Sequence, residues 1–383
     1  MTPSKKYCFA LLFNILFLTN LFYNCAGPTP QNNKNKVILQ LPKQYKNNLI
    51  SENLILSEIV VLETTDASLI KNINRLVLYK EKIIILNNKE EILFFNNDGN
   101  FLYKINKKGR GPGEYNHIID ISIDDNNDRI ILYTDNFNLL IYNLKGEYIS
   151  QITNIDKNNL YEKIIYQNNI LFFYNPLNTN KQNLFATFDL KKSVYIKNQF
   201  TNKSVDFILR QKGLPIVKSK SIWYVIPLNN LLLNINDNYE YQINIDNFGI
   251  SSNILNEQYK NPSKLLQEIK EKQICYGLSS IRETSHCIYF KSNLHDFIRI
   301  DKVTKNIQWC NYCTDLNNRI KNIQYFPHDA EDNKIMFFAD ENSFEDFDAI
   351  TKISPNISIK KKSLNGKEEE LNPILIFYKD KEL

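Results

Sequence analysis

The sequence predicts an all-β fold, a six-bladed β-propeller with four-stranded antiparallel blades, over residues 50–383. Beyond residue 50, short apolar segments alternate with turns rich in Asn, Asp and Gly, as they do in antiparallel sheets. The pattern returns with a period of roughly 40 residues, the length of a four-stranded blade. Because one blade cannot bury both of its faces alone, several must close into a ring.

The composition favours strands and a large core. Hydrophobic residues make up 43% of the 383-residue chain, and Tyr (22) and Phe (23) dominate the aromatics, as in sheet proteins. Gly is scarce (10), so Asn is expected to take many of the turn positions that need left-handed geometry. The net charge of +5 is spread along the chain, which is typical of a solvated surface, so no nucleic-acid partner is predicted.

The first two repeats are clear in the sequence. The first has predicted strands at Leu76–Tyr79, Lys82–Leu86, Ile92–Asn96 and Phe101–Ile105. The second has them at Ile118–Ile123, Arg129–Tyr133, Leu139–Asn143 and Tyr148–Ile152. Asp98-Gly99 and Lys145-Gly146 occupy equivalent turns of the two repeats, and Asp-Gly is a strong hairpin signal.

Later repeats are less regular, with predicted strands at Asn169–Tyr174, Leu184–Asp189, Ser221–Ile226, Leu231–Ile235, Tyr241–Asp246, Ser285–Lys291, Phe297–Asp301, Ile307–Cys310, Ile335–Ala339 and Pro373–Tyr378. Asn253–Lys272 has Leu255, Leu265, Leu266 and Ile269 at near-helical spacing, and Pro262–Lys272 is predicted to be one short inserted helix. We expect Ile59–Leu62 to share a sheet with Ile374–Tyr378, because an open ring would leave a long apolar edge at both ends.

The N-terminus has the features of an export signal. Lys5 and Lys6 precede an apolar core at Phe9–Tyr23, which is too short and interrupted to span a membrane comfortably. Residues 1–24 are therefore predicted to be a signal peptide, Cys25 the lipidated first residue, and 25–49 a flexible tether. A cleaved signal peptide with an incidental Cys25 is the alternative. The predicted location is the cell envelope, on a membrane facing the periplasm or the cell surface, with the outer membrane favoured.

The segment Gly109–Tyr115 (GRGPGEY) has three Gly and one Pro, which demand unusual backbone angles. It joins the outer strand of one predicted blade to the inner strand of the next. This path places Arg110, Glu114, Tyr115 and His117 near the channel mouth as candidate ligand-binding residues. The alternative is a structural corner in which Glu114 accepts hydrogen bonds from backbone amides.

Two other pairs could face the same channel. Arg282-Glu283 is expected at the inner start of the fifth blade, and His328-Asp329 has the same place in the last blade. Arg282, Glu283 and His328 are therefore candidate residues for an anionic or sugar-like ligand, or for a metal. Salt bridges between blades are the plainer interpretation.

The spacing of Asp124, Asn126 and Asp128 is like the start of a calcium loop. However, Arg129 stands where such a loop needs Gly, and no closing Glu follows. A hairpin turn between two strands is the favoured interpretation, and no metal site is predicted.

Four cysteines follow the signal region, at Cys275, Cys287, Cys310 and Cys313. In an exported protein, disulfides or buried thiols are more natural than a metal site. The spacings match no zinc ribbon, and no thioredoxin-like βαβ unit surrounds the Cys310–Cys313 pair.

The segment from Glu58 to Tyr115, with its GxGPGEY run at Gly109–Tyr115, resembles the six-bladed β-propeller lipoproteins abundant in Bacteroidetes. Further similarities are Asp246-Asn247-Phe248-Gly249, with Asn247 as an insertion, Glu283-Thr284, and Asn372–Lys379 near the C-terminus. The resemblance covers most of the mature chain. It implies the fold and export, and no established chemistry.

These features favour a binding or scaffold module for a glycan, a peptide or an envelope protein, without a cofactor. A propeller hydrolase or lyase, with a metal in the central channel, is the alternative. With only 4 His and no recognisable Ser-His-Asp order, nucleotide loop or HExxH motif, the sequence offers little for acid–base catalysis.

Overall fold

The computed structural model describes residues 35–41, 54–157, 159, 161–175, 183–201, 216–218, 221–226, 231–234, 239–245, 263, 267, 270–271, 278–292, 297–310, 314–315, 320–321, 329–331, 334–339, 343, 358–360 and 372–381. Lys36–Leu383 form one compact unit. The predicted signal peptide and Cys25 lie outside the described residues.

Strands make up most of the described chain. In chain order they are β1 (Asn35–Leu41), β2 (Leu54–Val61), β3 (Ile73–Tyr79), β4 (Lys82–Asn87), β5 (Glu91–Asn96), β6 (Phe101–Ile105), β7 (Ile118–Asp124), β8 (Arg129–Thr134), β9 (Leu139–Asn143), β10 (Tyr148–Ile152), β11 (Lys163–Gln167), β12 (Ile170–Tyr174), β13 (Asn183–Asp189) and β14 (Val194–Thr201). They continue with β15 (Ile216–Lys218), β16 (Ile222–Ile226), β17 (Leu231–Asn234), β18 (Tyr239–Ile245), β19 (Ser279–Glu283), β20 (Cys287–Lys291), β21 (Phe297–Asp301), β22 (Ile307–Cys310), β23 (Thr314–Asp315), β24 (Ile320–Lys321), β25 (Asp329–Glu331), β26 (Lys334–Ala339), β27 (Ser358–Lys360) and β28 (Ile374–Asp380).

Within the described residues these strands form six sheets of four or five strands and one two-stranded pair, β23–β24. Blades 1, 2, 3 and 5 are the consecutive sheets β3–β6, β7–β10, β11–β14 and β19–β22. Blade 4 is β15–β18 with β1 added beside β18, and blade 6 has the order β25-β26-β28-β2-β27. The prediction of an all-β propeller with four-stranded antiparallel blades is confirmed.

The first strand of each blade lies innermost, and these six strands contact one another in a closed cycle: β3, β7, β11, β15, β19, β25 and back to β3. Polar side chains on β7 help to hold the neighbouring inner strand. The Asp120 carboxylate accepts a hydrogen bond from the Ile164 amide at 2.9 Å, and Ser122 Oγ accepts one from the Tyr166 amide at 2.8 Å. These side chains satisfy backbone groups of β11 that face away from its own sheet.

The ring closes through its first and last strands, as the sequence predicts. In blade 6, β2 pairs antiparallel with β28, and Ile59 lies opposite Ile376. The hydroxyl of Ser57 also donates to the carbonyl of Phe377 at 3.0 Å. Strand β28 pairs on its other side with β26, so the chain end is held in the middle of the sheet.

The core lies between adjacent blades. One buried cluster joins Ile84 and Phe94 of blade 1 to Ile121 and Tyr142 of blade 2, and similar clusters lie at other blade junctions. Because both faces of a blade pack against a neighbour, central strands such as β4 are nearly continuous apolar runs.

Three features differ from the sequence-based expectation or extend it. Strand β1 lies within the stretch predicted as a tether, and it adds a fifth strand to blade 4. Four of the six innermost strands, β11, β15, β19 and β25, are not among the predicted strands. Of the predicted helix, only Ser263, Gln267, Lys270 and Glu271 are described; all four are helical, and Gln267 donates a side-chain hydrogen bond to Glu271 at 2.7 Å.

Candidate functional site

The GRGPGEY loop, Gly109–Tyr115, joins β6 of blade 1 to β7 of blade 2. Glu114 folds back onto the loop. Its carboxylate accepts a hydrogen bond from the Gly111 amide at 2.8 Å, and its own amide donates to the Gly111 carbonyl at 3.0 Å. The Glu114 side chain is exposed, but it holds the loop's own backbone in place.

Tyr115 fastens the base of the loop to blade 1. Only 1% of the residue is exposed, and its hydroxyl donates to the Ile105 carbonyl at 3.2 Å and accepts from the Lys107 amide at 3.3 Å. Burial raises the pKa of Tyr115 to about 12. The side chain is therefore a structural anchor and is not open to solvent.

The middle of the loop lies against the outer strands of blade 2. Gly113 has a φ of +75°, its carbonyl accepts a hydrogen bond from the Tyr142 hydroxyl, and it packs on the ring of Tyr148. Tyr142 and Tyr148 belong to β9 and β10, so this part of the loop is not at the channel mouth, where the sequence placed it. Each blade is twisted, so its outer strands are rotated relative to its inner ones, and a loop that packs on the outer strands lies away from the channel. His117, directly before β7, stands at the start of an inner strand.

Arg110 projects from this braced loop. It is exposed, and among the described residues no carboxylate lies within ion-pair distance of its guanidinium. A guanidinium in this state can bind a carboxylate, sulfate or phosphate through two hydrogen bonds.

Other cations collect beside the loop. Lys108 Nζ lies 3.0 Å from the Glu90 carboxylate, and the hydrogen bond and charge of Lys108, with the charges of His117 and Lys71, hold the pKa of Glu90 below its usual range. The Ile118 amide donates to the carbonyl of Lys89 at 2.8 Å, which places Lys89 next to His117.

We call this group the cationic patch; it consists of Lys71, Lys89, Lys107, Lys108, Arg110 and His117. Sequence reasoning identified Arg110 and His117 and missed the lysines. Lys71 precedes β3 and Lys89 lies in the β4–β5 turn, so only the folded turns show that the two belong together.

Arg282 and Glu283 lie elsewhere. They end β19 instead of starting it, so they lie at the opposite end of an inner strand from His117, and the expectation that they share its face is wrong. Ser279, which starts the strand, is also buried.

Both side chains are buried, each 4% exposed, and are engaged with the protein. The Glu283 carboxylate accepts from the Trp223 indole at 2.9 Å and pairs with Lys302 at 2.6 Å, and Arg282 donates to the Ile281 carbonyl at 2.8 Å. Glu283 thereby links blades 4 and 5. His328 lies outside the described residues, and Asp329 begins β25.

A second buried group ties blade 5 to the chain end. Asp380, the last residue of β28, accepts hydrogen bonds from the hydroxyls of Thr284 and Tyr289, the latter at 2.7 Å. His286 Nδ1 lies 4.0 Å from the same carboxylate. The closing strand of blade 6 is thus fastened to the neighbouring blade.

Asp124, Asn126 and Asp128 form the hairpin turn between β7 and β8 that the sequence favoured. The Asp124 carboxylate accepts from the amides of Asn126 and Asn127, both at 3.2 Å, and Asp128 pairs with Lys80 at 2.6 Å. Throughout the described part of the chain, no three His, Cys, Asp or Glu side chains are grouped as a metal would require.

Cys287 is a buried free thiol. Burial raises its pKa to about 12, so it stays protonated near neutral pH. Cys275 and Cys313, and the side chain of Cys310, lie outside what the structure describes, so the disulfide prediction for them stays a prediction. Among the described residues, no helix has the length and apolar character needed to cross a bilayer.

A ring of antiparallel sheets closed by its two terminal strands, with a braced loop that exposes cations between two blades, defines a β-propeller with a candidate binding surface. The chain belongs to the DUF4934 family, described as a domain of unknown function, whose profile matches residues 40–379.

The solved structures that share the fold include two from Bacteroides species. A Bacteroides fragilis protein, described by inference as exported, is 16% identical, with a TM-score of 0.69 over 91% of this chain and 100% of its own. A member of the DUF4221 family from Bacteroides vulgatus is 11% identical, with a TM-score of 0.51 over 86% of this chain and 97% of its own. At these identities the likeness concerns the fold alone. Among curated protein sequences, none matches this chain.

Proposed function

We propose that the chain is an exported, lipid-anchored β-propeller of the cell envelope, and that it acts as a binding or scaffold module for a glycan, peptide or envelope protein. The observation that carries the proposal is the construction of the Gly109–Tyr115 loop. Tyr115, Gly113 and Glu114 make its structural contacts, while Arg110 is left exposed on a fixed base. A cation on a fixed loop is suited to recognition, because little backbone order must be gained on binding.

The anchor is supported by the sequence. An apolar core at Phe9–Tyr23 follows Lys5 and Lys6 and ends at Cys25, and the chain resembles propeller lipoproteins of Bacteroidetes. The Bacteroides fragilis protein of similar fold is described as exported by inference, which agrees with an envelope location.

Replacing Cys25 with alanine tests the anchor. In cells grown with radioactive palmitate, the wild-type protein is expected to carry label and to fractionate with membranes, whereas Cys25→Ala loses the label and leaves the membrane fraction. Cys8→Ala, within the predicted signal peptide, is the matched control and should behave as wild type. A Cys25→Ala protein that stays labelled and membrane-bound would disprove the lipid anchor.

Replacing Arg110 with alanine tests the binding surface. The melting temperature should change by no more than about 1 °C, because exposed side chains contribute little to stability. Affinity for an anionic ligand should fall by roughly tenfold or more, the loss typical of a charge-assisted hydrogen bond. A thermal-shift screen of acidic sugars, glycans and peptides, with exposed Lys145→Ala as control, measures both effects. A large loss of stability with binding intact would instead make the loop a structural corner.

A further inference from the structure

The N-terminal strand β1 is packed into blade 4. It lies beside β18 as the fifth and outermost strand of that blade. Its side chains alternate: Leu39 is 4% exposed and belongs to the buried cluster between blades 4 and 5, Val37 packs against the same cluster, and Ile38 is 61% exposed. A strand whose alternate side chains enter a core is held by packing as well as by its backbone. Strand β1 is therefore a fixed part of the propeller.

Blade 4 lies opposite blade 1 in the ring. The cycle of inner strands runs β3, β7, β11, β15, β19 and β25, which belong to blades 1 to 6 in that order. Blade 4 is thus three steps from blade 1 in either direction, and blades 3 and 5 are its neighbours. The loop Gly109–Tyr115 joins blades 1 and 2, so it lies on the far side of the ring from β1.

The chain between the proposed anchor and β1 is short. Ten peptide units separate Cys25 from Asn35, the first residue of β1. Fully extended, a segment of this length spans at most about 33–36 Å. A compact protein of about 350 residues has a radius of gyration of about 20 Å, and so a width of about 50 Å. If blade 1 lay against the bilayer, β1 would be farther from the bilayer than this segment can span.

The docking of β1 is what makes this tether short. A tether that ended only at β2 would run from Cys25 to Leu54 of blade 6 and would span up to about 100 Å, more than the width of the ring. Such a tether would allow any side of the propeller to face the bilayer. Strand β1 shortens it about threefold and moves its attachment from blade 6 to blade 4.

We infer that β1 sets the orientation of the protein on its membrane: the outer edge of blade 4 is the side next to the lipid surface, and blades 1 and 2 face away from it. The inference rests on the proposed lipid anchor and adds an orientation that the anchor alone does not give. Arg110, on the loop between blades 1 and 2, is thereby kept accessible to partners beyond the anchoring bilayer.

Fluorescence energy transfer from the propeller to the bilayer tests this orientation. The lipidated full-length protein is reconstituted in phosphatidylcholine vesicles that contain a rhodamine-labelled phospholipid, and a fluorescent amino acid replaces one residue at a time. Four exposed apolar residues, in or just after the turn between the third and fourth strands of their blades, serve as sites: Leu102 of blade 1, Ile149 of blade 2, Val194 of blade 3 and Val303 of blade 5. Because all four lie at the same end of their blades, differences among them report position around the ring.

Transfer should be strongest from Val194 and Val303, which flank blade 4, weaker from Ile149 and weakest from Leu102. We expect a severalfold difference between the extremes, because transfer falls steeply with distance. Equal transfer from all four sites of the vesicle-bound protein, or the strongest transfer from Leu102, would overturn the inference and leave the lipid anchor standing.

Variants of β1 show whether this strand sets the order. Val37→Asp combined with Leu39→Asp places carboxylates against a buried apolar cluster, so it should release β1 and remove the order among the four sites. Ile38→Asp is the matched control, because Ile38 is exposed on the same strand, and it should keep the order.

A longer tether gives the same test without a change in the core. Inserting about 30 Gly/Ser residues between Cys25 and Asn35 should also remove the order, since the segment can then span the ring. An order that survives this insertion would overturn the inference, because β1 would not be what sets it. If the wild-type protein is not lipidated and no site transfers energy to the vesicles, the proposed anchor fails and the inference fails with it.

Discussion

Replacing Gly113 with valine is expected to cause a large loss of stability. Gly113 has a φ of +75°, a conformation that β-branched residues resist strongly. A Cβ atom there would also lie 2.7 Å from the ring of Tyr148, well inside van der Waals contact. Conformational strain and overpacking, each costing about 1–3 kcal/mol, lead us to expect a loss of roughly 2–6 kcal/mol.

The urea midpoint of equilibrium unfolding measures this effect, and Gly146→Val supplies the matched control. Gly146 has a similar φ of +84°, but a Cβ there would meet its nearest atom, on Ile105, only at 3.4 Å. The control therefore shares the backbone strain and avoids the severe contact. If the two variants unfold at the same urea concentration, the packing of the loop on Tyr148 does not contribute to the stability of the protein.

Replacing Asp380 with alanine is expected to weaken the ring where its last strand meets blade 5. The hydroxyls of Thr284 and Tyr289 donate to this carboxylate, and all three residues are buried. Without it, both hydroxyls would lose a charged acceptor in a place that water reaches poorly. Hydrogen bonds to charged groups contribute about 1.5–3 kcal/mol each, so we expect a loss of roughly 2–4 kcal/mol, allowing for relaxation.

Lys379→Ala is the control for this prediction, because Lys379 is on the same strand with an exposed side chain. The unfolding midpoint of Asp380→Asn should fall between those of Asp380→Ala and Lys379→Ala, since an amide keeps one acceptor oxygen and loses the charge. Equal unfolding midpoints for Asp380→Ala and Lys379→Ala would show that blade 5 does not hold the chain end through this carboxylate.

Strands were predictable where a run of apolar residues lies between explicit turns. In blades 1 and 2 the predicted strands Lys82–Leu86 and Arg129–Tyr133 differ from the observed ones by one residue at one end. Strand β19, Ser279–Glu283, escaped prediction because its sequence SSIRE has no apolar alternation, although every position is buried. Inner strands carry polar groups that bond to neighbouring blades, and a propensity argument does not recognise them.

The candidate site was only partly predictable for a related reason. The glycines and proline of Gly109–Tyr115 identify a shaped loop, and the alternative that Glu114 bonds to loop amides is what the structure shows. Lys71 and Lys89 lie beside this loop because of hydrogen bonds between turns that are distant in sequence. Arg282 and Glu283 were predicted on the wrong face because the prediction started their strand at Arg282, whereas the strand begins at Ser279.

The pairing of β2 with β28 also constrains when the protein can finish folding. Ser57 and Phe377, which bond across this seam, are separated by 320 residues. A ribosome adds residues one at a time from the N-terminus, so β2 is made early and must wait for its partner until nearly the whole chain exists. In that interval an apolar strand edge remains available to other chains, and contacts of such long range form slowly. Completion of the ring is therefore a late event, and a chain shortened by its last strand would keep β2 without that partner.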